Sequence, residues 1–234
     1  RILRDFELSK ERLAQASAGQ LGTLRIGFRE TAARSPLVSR SISEFRSTHP
    51  NVILRLNQLN SPAQCAALKA GELDAGFIYL SPEHDADLQR LPLTTDQFYL
   101  AMHHSNPLAQ KKSVHLRDLV DQSFIWLERS RNAYYSDALR RECLRSGFTP
   151  RIIQEADSDA TALNLVAVGM GVSFVVATIA PQPDVVLKPV AELNSSLTLA
   201  LVWVNEAQSQ LVAHFVATVR QVLEAHAPSA AKKK

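Results

Sequence analysis

From Leu24 onward the apolar positions switch repeatedly between a period of two and a period near 3.6, which predicts strands alternating with helices. Leu24-Arg25-Ile26-Gly27-Phe28 alternates as a strand. Leu37, Val38, Ile42 and Phe45 then share one face of a helix capped by Thr31 or by Ser35, with Pro36 in its first turn. His49-Pro50-Asn51 ends that helix, and Val52, Leu54 and Leu56 alternate as the next strand. Ser61-Pro62 opens a helix that turns Ala66, Ala67 and Leu68 inward and closes at Gly71. Ala75 to Tyr79 is a short apolar strand. The run from Leu24 to Tyr79 is therefore β-α-β-α-β, half of a doubly wound α/β sheet with right-handed crossovers.

The second stretch repeats the logic. Ser81 to Pro92 is polar and reads as a loop, Phe98 to Met102 as a strand, His115 to Leu119 as a helical turn and Phe124 to Leu127 as another strand. A helix over Tyr135 to Ser146 closes at Gly147. Arg151 to Gln154 is a strand, and Asp157, Ser158 or Asp159 caps a helix carrying Leu163, Val166 and Ala167. Gly169-Met170-Gly171 stops it tightly before a buried strand, Val172 to Val176. Leu197 to Val204 is again a strand, and Leu211, Phe215, Val219 and Val222 face inward from a helix over Gln208 to Ala225.

Before all this, Ile2, Phe6, Leu13 and Ala16 form a thin stripe on a charged helix over Arg1 to Ala18, better suited to a helix–helix seam than to a core. The chain opens at Arg1, already in helical pattern, and is expected to be a piece lacking its N-terminal part.

The length, 234 residues, accommodates one large domain or two small lobes without disulfide or metal staples. A hydrophobic fraction of 46% and a charged fraction of 21% exclude disordered, collagen-like and coiled-coil chains. The longest nearly uncharged stretch, Ala160 to Pro183, is broken by Asn164, glycines and hydroxyl residues, so no membrane span is expected. The net charge of +3 is matched by Lys232, Lys233 and Lys234 in the tail, which leaves a balanced body, whereas a body that gripped a DNA backbone by itself would normally show a basic face. Cys65 and Cys143, far apart and without CxxC or His spacing, read as reduced, buried thiols.

Catalytic and metal signatures are weak. There is no GxxxxGK[ST] and no GxSxG, and Gly169-x-Gly171 is a helix end rather than a dinucleotide fingerprint. Glu155, Asp157 and Asp159 are explained by a strand end and a cap. His103-His104 reads as strand-end surface, since no spaced cysteine or carboxylate completes a ligand set. No enzyme activity, cofactor or metal site is expected.

Three stretches resemble the effector-binding domain of LysR-type transcriptional regulators: Leu21-Gly22-Thr23-Leu24-Arg25-Ile26-Gly27; Phe45 to Pro50 with Val52-Ile53-Leu54 and then Leu68-Lys69-Ala70-Gly71-Glu72-Leu73-Asp74-Ala75-Gly76-Phe77; and Leu165 to Val175 around Gly169 and Gly171. Asn106-Pro107-Leu108 resembles the family's "HPL", with Asn106 in place of the histidine, and Ala177 stands where a proline usually follows the third motif. Their order and spacing span about residues 1 to 226.

The resemblance implies a fold of two Rossmann-like lobes joined by two crossover strands, as in type 2 periplasmic binding proteins, preceded by a linker helix. It implies a linker or dimerisation helix over 1–20, lobe I over 21–95 and 196–228, lobe II over 96–195, and a tail over 229–234. It implies a cytoplasmic homodimer or homotetramer, associating through lobe I edges and helices 35–48 and 208–225. DNA would be bound only through an N-terminal winged helix-turn-helix absent from this sequence.

It also implies an effector site between the lobes. Ligands in open α/β sheets sit beyond the carboxyl ends of the strands, where helix N-termini favour anions. The implied segments are Thr31 to Ala33, Ser61 to Gln64 and Asn132 to Ser136. The candidate effector-binding residues are Thr31, Ser61, Asn132, Tyr134 and Tyr135, with Arg29 and Tyr79 as second choices. Thr31 and Ser61 would hold a polar or carboxylate group, the tyrosines would supply a wall with a polar tip, and Arg29 would pair with an acid. A small organic acid, aromatic or otherwise, is the expected effector. Ordinary caps, a solvated arginine and plain packing explain the same residues. A solute-binding protein of a transporter is the alternative reading, and a strict monomer would favour it.

Overall fold

The computed structural model describes residues 17–81, 88–130, 133–176, 182–204 and 209–226, together with Lys10 and Ala14. Lys10, Ala14 and Ser17 are helical; the rest of the expected opening helix, the tail and Asn132 lie outside the described residues. The elements, in chain order, are β1 (Gly22–Phe28), α1 (Glu30–Ala33), α2 (Pro36–Thr48), β2 (Val52–Gln58), α3 (Ser61–Lys69), β3 (Ala75–Tyr79) and β4 (Gln89–His103). Two 3-10 turns follow, Pro107–Gln110 and Leu116–Leu119. Then come β5 (Ser123–Leu127), α4 (Ala133–Arg145), β6 (Arg151–Ala156), α5 (Asp159–Ala167), β7 (Ser173–Val176), β8 (Val185–Pro189), β9 (Ser196–Trp203) and α6 (Gln210–His226). The α/β alternation anticipated from the hydrophobic pattern is present.

The chain forms two compact units: Arg1–Ile78 with His84–Leu93 and Leu199–Lys234, and Tyr79–Glu83 with Thr94–Thr198. Strands β4 and β9 run from one unit into the other. The hydrogen-bonded strand order is β2-β1-β3-β9-β4-β7, with β8 added on β4 and a separate β5-β6 pair.

In unit 1, β1 pairs in parallel with β2 from Gly22↔Val52 to Phe28↔Gln58, and with β3 at Ile26↔Ala75, Gly27↔Gly76 and Phe28↔Phe77. Leu24, Ile26, Ala75 and Phe77 are fully buried. Phe215 of α6 meets Phe45 of α2 edge-on at 5.2 Å and Phe77 at 6.0 Å, so an aromatic trio joins two helices to the sheet. Beside it His49 stacks on Phe45 at 4.3 Å, and its Nε2 lies 3.3 Å from His214 Nδ1. Burial, reinforced by His214, lowers the His49 pKa.

In unit 2, β5 and β6 are parallel, and β5 also bridges Val172 ahead of β7. Val172 N–H donates to the Ser123 carbonyl at 2.8 Å, and Ile125 N–H to that of Val172 at 2.8 Å. A Cβ on Gly171 would lie 2.5 Å from the Ser123 carbonyl oxygen. Only glycine permits this approach, which gives the second glycine of Gly169-Met170-Gly171 its structural reason. Gly169, at φ +75°, is the helix-terminating one. Phe124, Trp126, Phe148 and Phe174 fill the core; Trp126 Nε1 donates to Ser136 Oγ at 2.8 Å, with Arg140 over the indole ring at 5.2 Å.

Four local expectations need correction. β4 begins at Gln89, inside the stretch read as a loop, because its first residues, Gln89-Arg90-Leu91-Pro92, are largely exposed and end in a proline, which reads as a break rather than as strand alternation. β8 had no signal at all; its residues are half-buried on both faces up to Pro189. Ala66 is exposed, and the inward positions of α3 are Ser61, Gln64, Ala67 and Leu68. Cys143 is buried as expected, but Cys65 is only partly so.

Candidate functional site

In unit 1 the carboxyl ends of β1 and β2 stop together at the pair Phe28↔Gln58. Three residues beyond each strand stands a hydroxyl: Thr31 after Phe28, and Ser61 after Gln58. Both are buried, Thr31 at 7% exposure and Ser61 at 1%. The parallel pairing thus delivers two hydroxyl groups to the same edge of the sheet, each in the first turn of a helix.

Neither is a cap. Asn60 is the N-cap of α3, its Oδ1 accepting from Ala63 N–H at 2.9 Å, and Ser61 is the first helical residue, followed by Pro62. Arg29 occupies the N-cap of α1 without a side-chain cap bond, and Ser35 that of α2, with Pro36 following. The capping explanation of Thr31 and Ser61 therefore fails: Asn, among the best N-caps, sits one residue earlier and takes the role. Arg29 is half-buried at the end of β1.

Gln64 was not among the candidate residues, although the segment containing it was. It is fully buried, and its Nε2 donates to the carbonyls of Leu59 at 2.9 Å and Phe77 at 3.3 Å. Its Oε1 accepts no hydrogen bond and lies over the paired glycines, where a Cβ would approach it to 2.8 Å at Gly27 and 2.6 Å at Gly76. Gln64 thus holds the start of α3 to the ends of β2 and β3, and two bare glycines make the space. Gly27 and Gly76 become neighbours only through the β1–β3 register, so the sequence carried no direct signal for this role of Gln64.

In unit 2, α4 opens with Tyr134 and Tyr135, whose rings meet edge-on at 5.0 Å. Tyr134 is half-exposed; Tyr135 is buried, 6.1 Å from Phe98. The Tyr135 hydroxyl donates to the Leu80 carbonyl. Burial pushes the phenol up to about 12, offset in part by a hydrogen bond from the Thr198 backbone. The Leu80 N–H in turn donates to the Thr198 carbonyl at 2.8 Å. The hydroxyl of Tyr135 is therefore bound to the backbone just after β3 and in β9, while Tyr134 keeps the more open ring. Tyr79, the last residue of β3, is buried at 3% exposure. Beside α4, Arg129 forks onto Asp137 at 2.8–3.2 Å and holds that carboxyl below its usual range.

Asp157 accepts from Thr161 Oγ1 at 2.8 Å, and Ser158 is the N-cap of α5, so the acidic residues around it serve the helix start. No helix among the described residues is long and apolar enough to cross a membrane.

A family profile described as the LysR substrate binding domain matches residues 17–224. The chain is 35% identical over 158 residues to the HTH-type transcriptional regulator BenM of Acinetobacter baylyi, covering 67% of this chain and 51% of that protein. It is 30% identical over 204 residues to the HTH-type transcriptional regulator YnfL of Escherichia coli, covering 86% and 67%. The chain thus spans about half of the first relative and two thirds of the second. Among solved structures, the BenM effector-binding domain with its effector benzoate matches with a TM-score of 0.74 and 27% identity, over 91% of this chain and 99% of that one.

Proposed function

Given that the chain belongs to the LysR substrate-binding domain family, we propose that it is the effector-sensing and self-associating part of a cytoplasmic bacterial transcription regulator. The observation that carries the proposal is the pair of buried hydroxyls, Thr31 and Ser61, placed three residues beyond the shared end of two parallel strands. Strand ends of this kind are where open α/β sheets hold ligands.

The proposed effector is a small organic acid. The BenM effector-binding domain takes benzoate, and the same chemistry suits this chain. Thr31 and Ser61 offer hydroxyl donors near helix N–H groups, and Arg29 offers positive charge at the end of β1. Tyr134 supplies an aromatic face, with Tyr79, Tyr135 and Asn132 completing the proposed set. Tyr135 contributes ring surface more than its hydroxyl, which is already bound to backbone.

In the whole protein the effector would act on a DNA-binding domain through a change in the arrangement of a homodimer or homotetramer. That requires different affinities for two arrangements, not tight binding as such. The proposal includes no catalytic step.

A thermal-shift screen of small organic acids, benzoate among them, tests the site. A stabilising acid is expected, and its effect should disappear in a Thr31→Ala, Ser61→Ala double variant. A shift that survives both substitutions would remove these hydroxyls from the site. Light scattering tests the self-association, and a strict monomer would contradict it.

A further inference from the structure

The histidine pair His103-His104 lies outside the proposed effector site. β4 ends at His103, and β8 pairs with it antiparallel up to His103↔Val185. The ladder continues one step further: His104 N–H donates to the Asp184 carbonyl at 2.9 Å. Residues far apart in sequence are thereby fixed opposite each other by backbone hydrogen bonds. The chain turns at His104, which brings the two imidazoles together with ring centroids 4.2 Å apart and planes inclined by 38°.

From this arrangement we infer that His103, His104 and Asp184 form a binding site for a divalent transition-metal ion of the zinc class. Each residue offers one ligand atom, and the three atoms lie within 4.8 Å of one another, the one such group among the described residues. His104 Nδ1 and Asp184 Oδ1 are 3.7 Å apart. That is long for a hydrogen bond. It is close to the separation of roughly 3.3 Å between two ligand atoms each about 2 Å from a tetrahedral zinc ion. Two imidazole nitrogens and one carboxylate oxygen select zinc, nickel or copper over magnesium or calcium, which take oxygen ligands.

His104 and Asp184 are each 58% exposed at the side chain, so a fourth position remains for water and the side chains can close on the ion by rotation. His103 has an outer partner as well. Its Nδ1 lies 2.7 Å from Ser105 Oγ and 3.2 Å from Ser105 N. The Ser105 N–H donates to this Nδ1, which fixes the orientation of the ring at the end of β4. The sequence offered no third ligand near His103-His104; strand pairing supplies Asp184. The bound ion would tie the start of β8 to the end of β4. The site lies wholly within unit 2 and is independent of the effector proposal.

Isothermal titration of ZnCl2 into chelator-treated, tag-free protein provides the test. One ion per chain is expected, and Asp184→Asn and His104→Ala should each weaken binding at least tenfold. A His49→Gln, His214→Gln variant, which removes the other histidine pair, should leave the isotherm unchanged. Absence of binding by the wild type overturns the assignment. So does binding that persists in a His103→Ala, His104→Ala variant or is lost in the His49/His214 variant. Circular dichroism of each variant separates a lost ligand from a lost fold.

Discussion

Arg25 and Asp74 close a four-point contact at the entry to β3. Arg25 Nε and Nη2 donate to the two carboxylate oxygens at 3.1 and 2.7 Å, and Arg25 N–H donates to Oδ2 at 2.7 Å. The Asp74 N–H returns a bond to the Arg25 carbonyl at 2.9 Å. The Leu73-Asp74 step of the second sequence motif thus sets the register of β3 against β1, beginning at Ile26↔Ala75. Asp74→Ala removes the acceptor of three of these bonds and should lower stability by about 2 kcal/mol, since the pair is only partly buried. Arg25→Lys keeps the charge, loses the fork and should cost about half as much. Urea unfolding midpoints check both; no change in Asp74→Ala would remove the contact from the list of stabilising features.

Gly76→Ala places a methyl group 2.6 Å from Gln64 Oε1. Gln64 is pinned by two backbone carbonyls and cannot swing away cheaply. A loss of about 1–3 kcal/mol is expected, as for other overpacked cores. Gln64→Ala should be destabilising alone but should partly rescue Gly76→Ala, a coupling that a double-mutant cycle reads directly. Strict additivity would show that the two sites do not compete for this space.

Asn60→Ala removes the side-chain acceptor at the start of α3. About 1 kcal/mol of stability should be lost, as for other N-caps. Ser61→Ala should cost less, because Ser61 is not the cap. The reverse order in thermal or chemical denaturation would reinstate Ser61 as the residue that starts the helix.

Two acids in unit 2 make it sensitive to alkali. Burial, with Glu142 adding, raises the Cys143 thiol from 9.0 to about 12, and burial raises the Tyr135 phenol from 10.0 to about 12. The unfolded chain releases these protons first. Their contribution to stability is therefore intact below about pH 9 and falls away between roughly pH 9 and 12. Urea midpoints at pH 8 and pH 10 should diverge in the wild type and converge in Cys143→Ala combined with Tyr135→Phe. An unchanged pH slope in that variant would assign the sensitivity to other groups.

Trp126 gives a spectroscopic handle on α4. Ser136→Ala leaves the buried indole N–H without its acceptor, at a cost of about 1–3 kcal/mol. The intrinsic fluorescence should change with it, and an unperturbed emission spectrum would argue that another acceptor is at hand.

The strand–helix alternation was legible because both halves follow the two periodicities of buried faces: Leu24 and Ile26 in β1, Phe45 in α2, Leu163 and Val166 in α5 and Phe215 in α6 are all buried. Elements without such a face escaped notice. β8 is half-buried throughout, and the first part of β4 is polar and extended. At the proposed site, the hydroxyls of Thr31 and Ser61 were visible as residue types at helix starts. Their burial was not, nor was the engagement of the Tyr135 hydroxyl by backbone far away in sequence. Gln64 escaped because its role depends on two glycines brought side by side only by strand pairing.

That last arrangement carries a consequence for how related sequences diverge. Positions 27, 64 and 76 share one small volume between a sheet and a helix. A lineage that gains a side chain on either strand must shorten residue 64 in compensation, and one that shortens residue 64 is released to fill the strands. The three positions should therefore drift as a linked group, a correlation that a deep collection of family sequences would display without any ligand being known.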